Sequence, residues 1–412
     1  MCNGSTKAIE NDKKMVLFMN QYDCCGCAVC ANSCPHHAIE MKPDDNGFLY
    51  PAIDSAKCVG CGLCKTVCAF GKENDLPSPM GAFAVQAKAD GLLEKSASGG
   101  VFAVLAKEVL AKGGAVVGCA LERIDGRFGP HHIVIDSEEE LSKLQGSKYV
   151  QSNMGDIYYK VGNLLKSGQQ VLFSGTPCQV DGLRHFLRGK SYPNLLTVDL
   201  ICHGVPGTKM FADYIGVLEK KYKSTAVRFS FRDKSSGWGY NSNVKMQYKD
   251  YRGHMQETVI PGRNSSFYKL FQRSEICRES CYGCKYACIK RPGDLTVGDF
   301  WGIEKQHPRA LTENGGDLQL SKGISCLLVN TTKGNEWMDV LCGQTNMVVS
   351  HLDAVSAKNM QLLHPTARGK NREKIFTLYR KSGYGAVERW YAGCEFRRRC
   401  GRKLKKLFSR LR

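Results

Sequence analysis

Cysteines stand at positions 24, 27, 30 and 34, and again at 58, 61, 64 and 68, both times as Cys-x2-Cys-x2-Cys-x3-Cys. Three thiolates at two-residue gaps let a short loop wrap one face of a cubane iron–sulfur cluster. The fourth, leaving on a helix, reaches the other cluster. The expected sets are therefore Cys24, Cys27, Cys30 and Cys68 for one [4Fe–4S] cluster and Cys58, Cys61, Cys64 and Cys34 for a second. Pro35 turns the chain after the first block, where the second block has Ala69 instead. Zinc knuckles favour two separated Cys-x-x-Cys pairs with longer gaps, a different pattern. Cys25 fits neither set and reads as a bystander.

A third run, Cys277-x3-Cys281-x2-Cys284-x3-Cys288, differs in its first gap. Four thiolates within a dozen residues suit a further [4Fe–4S] cluster or a zinc ion. Cys178 and Cys202 are the candidates for supplying one or two positions from elsewhere. Lys285, Lys290 and Arg291 would counter the negative charge of such a group.

Three strand ends carry the remaining chemistry. Phe173-Ser174-Gly175-Thr176-Pro177-Cys178-Gln179 runs from an apolar strand into a helix, with Thr176 suited to the N-cap and Pro177 to the first helical position. The free N–H groups there seat phosphate or an electron-rich ring edge, and the dipole is expected to lower the Cys178 thiol pKa. Asp199-Leu200-Ile201-Cys202-His203-Gly204 repeats the geometry, so that Cys202 and His203 face the crevice at the carboxyl ends of the strands. Ser96-Ala97-Ser98-Gly99-Gly100 precedes a third helix, its glycines allowing close backbone approach to a pyrophosphate.

The elements that must position these residues alternate. After an irregular lead-in (1–20), the cysteine blocks fill 21–70 and a Gly- and Pro-containing linker covers 71–81. Strands are expected at Ala82–Ala89, Ala115–Leu121, Val171–Ser174 and Leu195–Ile201. Helices are expected at Val101–Lys112 and Asp156–Lys166, from Pro177, and at Thr208–Tyr222. That alternation argues for a largely parallel sheet with helices on its faces. Ala226–Arg232, Asn243–Tyr251 and Met255–Ile260 read as an additional antiparallel section, followed by strands near Leu295–Phe300 and Ile324–Asn330. The core is expected over 82–345 and a helical basic tail over 346–412. The fold class is thus a multidomain α+β/α/β chain: a two-[4Fe–4S] cysteine module followed by an α/β core with an additional antiparallel β section.

The 412 residues allow two to three domains. With 42% hydrophobic and 24% charged residues the composition is that of a globular protein. No run approaches the length of a membrane span, no export signal is evident, and 21 clustered cysteines in a chain of this length point to metal–sulfur chemistry in a reducing, cytoplasmic setting. The formal net charge is +19, but the last sixteen residues hold nine of the basic side chains and no acid. The pattern argues against nucleic acid as a partner. Leu404, Leu407, Phe408 and Leu411 share one face of the tail, a pattern of peripheral contact with anionic lipid or of a partner-binding helix.

Residues 20–70 resemble the bacterial two-[4Fe–4S] ferredoxin module. Taken with GSKYVQS (146–152), GTPCQVDGL (175–183), DLICHGVPG (199–207) and the run from Cys277 through DLTVGDFWG (294–302), the chain resembles the beta subunit family of coenzyme F420-reducing hydrogenases and dehydrogenases over about 20–340. The resemblance implies non-covalent FAD in the α/β core, fed by an intrinsic [4Fe–4S] cluster. Carried over by position, the flavin neighbourhood comprises Ser98, Gly99, Gly100, Lys148, Tyr149, Gln151, Ser152, Thr176, Pro177, Cys178 and Gln179. Lys148, Cys178 and His203 are the candidate catalytic residues, with Lys148 stabilising negative charge on a reduced flavin or meeting an anionic substrate. Asp299 and Trp301 shape the cavity. The implied function is an oxidoreductase relaying electrons from a redox partner protein or ferredoxin, through the clusters and FAD, to a small organic acceptor. The alternative is a non-enzymatic electron-transfer subunit.

Overall fold

A computed structural model describes residues 17–72, 75–124, 126–239 and 242–410, with side chains described as far as residue 400. Its centre is an eight-stranded sheet in the order Thr345–Ser350, Gly81–Ala87, Ser325–Val329, Leu295–Asp299, Leu195–Leu200, Val171–Gly175, Ala115–Ile124, Arg127–Ile135. Four neighbouring strands, from Leu295–Asp299 to Ala115–Ile124, run parallel, and every pairing outside them is antiparallel. The sheet is therefore mixed rather than largely parallel. One cause is legible: Asp125-Gly126 separates the last two strands, the two-residue signal for a hairpin, and Ile124 pairs with Arg127.

Side chains alternate across the strands, as a period of two requires. Val116, Leu172 and Leu196, aligned on three adjacent strands, face the helix Val101–Ala111 and its Val104, Leu105 and Val109. Val117, Val171 and Phe173 point the other way, against Tyr158 and Val161 of helix Ile157–Lys166 and Val180 and Leu183 of helix Pro177–Phe186. Those two helices also form the platform on which the N-terminal module rests.

The antiparallel section forms a separate three-stranded sheet, Thr225–Asp233, Asn243–Lys249 and Met255–Ile260. Its Phe229 and Phe231 pack with Phe211, Tyr214 and Phe267 in an aromatic core that also takes Ile375, Phe376, Tyr384 and Tyr391. Residues 346–391, read from the sequence as part of a basic tail, thus supply a sheet strand and the buried face of a helix. The helical segment Arg372–Arg410 is interrupted at Gly383, whose φ of 68° suits glycine. The face built on Leu404, Leu407, Phe408 and Leu411 lies outside the residues with described side chains. Among the described residues, no helix is long and apolar enough to cross a membrane.

Candidate functional site

The N-terminal module pairs two strands, Ile39–Pro43 and Leu49–Ile53, and carries each cysteine loop into a one-turn helix, Val29–Asn32 or Leu63–Thr66. The Cys30 thiol is pushed up to about 12 by burial and by the neighbouring Cys24, Cys68 and Cys64 thiols. Cys27 lies beside Cys30, and Cys64 beside Cys58 and Cys61. Cys68 thus returns to the first loop, the crossing that the spacing predicts. Crowded buried thiols resist joint ionisation, and a cationic iron centre relieves that repulsion; the donor set fits such a group.

The first loop is locked to the core. Arg278, fully buried, donates to the Cys24 carbonyl at 2.8 Å, the Leu49 carbonyl at 2.8 Å, Gln151 Oε1 at 3.1 Å and Cys24 Sγ at 3.5 Å, with its guanidinium 3.9 Å from the centre of the Tyr50 ring. Gln151 Nε2 in turn donates to the Cys25 and Gly26 carbonyls, both at 3.3 Å. Gln151, carried over as a flavin neighbour, therefore also works as an anchor of this loop. Lys285 donates to the Ala69 and Lys72 carbonyls rather than standing free beside a cluster.

Behind that loop lies the third group of thiols. Cys281 sits beside Cys202, Cys284 and Cys178, and Cys277 beside Cys281 and Cys202. Gly204 makes room for them: with φ of 121°, it would place an added Cβ 3.0 Å from Cys277 Sγ. Cys288 points elsewhere, its thiol at 3.4 Å from the Lys285 carbonyl and 3.3 Å from that of Lys290. The spacing alone gave Cys288 the fourth place, whereas folding brings Cys202 to the group from a strand end. Arg291 fixes the geometry by pairing with Asp199 inside the protein (Nη2 to Oδ1, 2.6 Å) and donating to the Leu200 carbonyl, both just before Cys202. Cys25 is buried against Cys178 and is thus a further contact between the first loop and the core. That contact, with burial, pushes the Cys178 thiol well above its ordinary value, overriding the lowering expected from the helix dipole.

A cavity of about 520 Å³ opens on the other side of Cys178, at the carboxyl ends of the parallel strands. It brings together Ser98, Gly100, Lys148, Tyr149, Gln151, Ser152, Thr176, Cys178, Gln179 and His203 from segments far apart in sequence. Pro177 faces the smaller space among Cys178, Cys202, Cys281 and Cys284. Gly99 serves packing: an added Cβ would fall 2.1 Å from the Val85 carbonyl oxygen. Lys148 Nζ donates to the carbonyls of Lys143, Leu144 and Gln145 at 2.8–3.1 Å, capping the short helix Leu141–Leu144, and burial pulls its pKa down to about 8. His203 Nδ1 accepts from Gln361 Nε2 at 3.3 Å, its Nε2 lies 3.1 Å from Ser274 Oγ, and burial lowers its pKa.

His132 escapes sequence reasoning because it sits in a strand with no motif around it. Its Nε2 meets the Ser174 carbonyl at 3.2 Å and so carries the proton, leaving Nδ1 to accept from Ser152 Oγ at 2.8 Å. Gln179 Nε2 donates to Ser152 Oγ at 2.8 Å, and Gln179 Oε1 accepts from Thr176 N at 3.0 Å. This chain ties strand Arg127–Ile135, the loop at Ser152 and the strand end before helix Pro177–Phe186 together along the cavity wall. At the opposite end, Arg232 pairs with Asp299, and Trp238 stacks on Trp301 with ring centres 4.6 Å apart.

Comparison with known proteins matches residues 23–72 to a 4Fe-4S dicluster domain, 82–157 to the N-terminal part of the coenzyme F420 hydrogenase/dehydrogenase beta subunit, and 168–354 to its C-terminal part. An uncharacterized protein of Methanocaldococcus jannaschii is 24% identical over 341 residues, 75% of this chain and 88% of its own. An uncharacterized ferredoxin of the same organism is 37% identical over 68 residues, 16% of this chain and 37% of its own. Among solved structures, the F420-reducing [NiFe] hydrogenase complex of Methanosarcina barkeri aligns with a TM-score of 0.43 and 15% identity, over 74% of this chain and 95% of the other. The iron–sulfur motif at one end and both halves of the larger domain after it place this chain in the coenzyme F420 hydrogenase/dehydrogenase beta subunit family.

Proposed function

We propose that the protein is an iron–sulfur flavoprotein oxidoreductase in which electrons pass from the two N-terminal clusters through a third to FAD in the large cavity, and from there to a small organic acceptor. The observation that carries this reading is the position of Cys178, with Cys25 of the first loop on one side, Cys202, Cys281 and Cys284 on another, and the cavity in front. Cys202, Cys277, Cys281 and Cys284 are the proposed ligands of the third cluster, Cys178 lining its route to the cavity. The clusters and FAD supply the conversion between single electrons and a two-electron transfer.

The chain's own residues hold and separate these groups. The helix N-terminus after Gly100 presents free N–H groups at the cavity, suited to phosphate oxygens. After Thr176, Pro177 has no N–H and that of Gln179 bonds the Thr176 carbonyl, which leaves the Cys178 N–H. The network from His132 to Thr176 fixes the wall between them. Lys148 contributes positive charge that partly neutralises electron density gathered in the cavity, from a position held by three carbonyls. Anaerobic purification with iron, sulfide and flavin quantification tests the reading: about twelve irons and one FAD per chain are expected for three cubanes and one flavin. Colourless protein without iron or extractable flavin overturns it.

The family's designation as a subunit favours a second reading, in which the cavity's cofactor passes electrons to a partner protein. Turnover of a small acceptor by the isolated chain decides for the enzyme.

A further inference from the structure

The second cysteine loop is built like the first but faces solvent. Val59 is 64% exposed, Cys61 is exposed, and a Cβ added at Gly60 or Gly62 would meet nothing within 4 Å. From residue 55 to residue 72 the sequence holds Lys57, Lys65 and Lys72 and no acidic side chain. All three lysines are exposed. Lys57 stands 3.6 Å from Asp54, both exposed, a pair too weakly held to cancel its field. An apolar tip flanked by positive charge, beside Cys61, the most exposed thiol among the described residues of the module, has the character of a recognition surface. Apolar contact supplies brief adhesion, and charge supplies orientation and speed of encounter.

We propose that the loop 57–65, with Lys72 at its edge, docks an acidic one-electron carrier protein, which gives up one electron to the cluster held by Cys34, Cys58, Cys61 and Cys64. The reduced carrier is oxidised by one electron and the cluster reduced by one, with no proton moved and no bond made. Such encounters use small interfaces, and the exposed loop is of that scale. The proposal rests on the cluster reading above and adds the point at which electrons come in and the charge of what brings them.

The test uses full-length, anaerobically purified holoprotein, with an acidic reduced ferredoxin as carrier and dithionite as the small reductant. Lys57→Glu/Lys65→Glu is expected to slow cluster reduction by the ferredoxin about tenfold or more and to reverse its salt dependence. Val59→Ser is expected to slow it less, with salt dependence kept. Iron content and dithionite reduction stay as in the parent. Lys220→Glu/Lys221→Glu, the same charge change at the end of helix Thr208–Tyr222, is expected to leave the rate within about twofold of the parent. Full iron content with equal slowing by both double variants, or with no slowing by either, overturns the docking surface while leaving the clusters in place. Parent protein lacking iron in the outer loop overturns the cluster reading and the docking surface together.

Discussion

The two cysteine loops share spacing, a glycine two residues after the first cysteine and a one-turn helix, yet one is buried and the other bare. Gly26 and Gly60 hold equivalent places with φ of 70° and 71°; an added Cβ at Gly26 would lie 2.2 Å from Gln151 Nε2, and at Gly60 would touch nothing within 4 Å. The contrast teaches that the motif specifies how thiols are presented, while the surface pressed against it specifies what the loop is for. The docked loop faces Cys178 and the cavity, and the free loop faces solvent.

Breaking the wall should expose the difference most strongly. Arg278→Ala leaves the Cys24 and Leu49 carbonyls and Gln151 Oε1 without their buried donor, a loss of roughly 3–9 kcal/mol at about 1–3 per unsatisfied group. Lys65→Ala in the free loop should stay within about 0.5 kcal/mol. Denaturant midpoints of the two variants measure this, and equal midpoints would remove the asymmetry.

The docked side should also respond to acid. Burial lowers the His132 pKa to about 4 from its ordinary value near 6.5. The unfolded chain therefore binds a proton that the folded one refuses between those values. The resulting stability is complete above about pH 6.5 and lost as pH falls toward 4, by up to about 3 kcal/mol. Thermal melts across pH 4–7 should show this slope, and His132→Asn should flatten it.

The glycine pair gives the sharpest matched comparison. Gly26→Ala and Gly60→Ala share a left-handed backbone cost of about 1 kcal/mol. Only the first must also displace Gln151 and Arg278, an overpacking cost of about 1–3 kcal/mol more. The same two melts show whether that excess exists.

The sequence by itself determined the thiol chemistry, because ligand spacing within a short loop is a local property. It also determined most core elements: helix Thr208–Tyr222 and strand Met255–Ile260 have the bounds that periodicity predicts. The strand ends at Thr176 and Cys202 were legible as cavity-forming for the same reason, since cap and turn residues act over a few positions. Ser98 lines the cavity too, but between helices Asp90–Lys95 and Val101–Ala111 rather than at a strand end as expected. Only the tertiary structure decided that Cys202 joins Cys277, Cys281 and Cys284 while Cys288 turns to backbone carbonyls, that Cys25 touches Cys178, and that His132 completes the cavity wall. Those relations depend on which strand lies beside which, and on the buried Arg278 and Arg291 that pin distant segments. Spacing along the chain carries no signal of either. The asymmetry of the two loops belongs to the same class: identical local rules, separated by what folds against them.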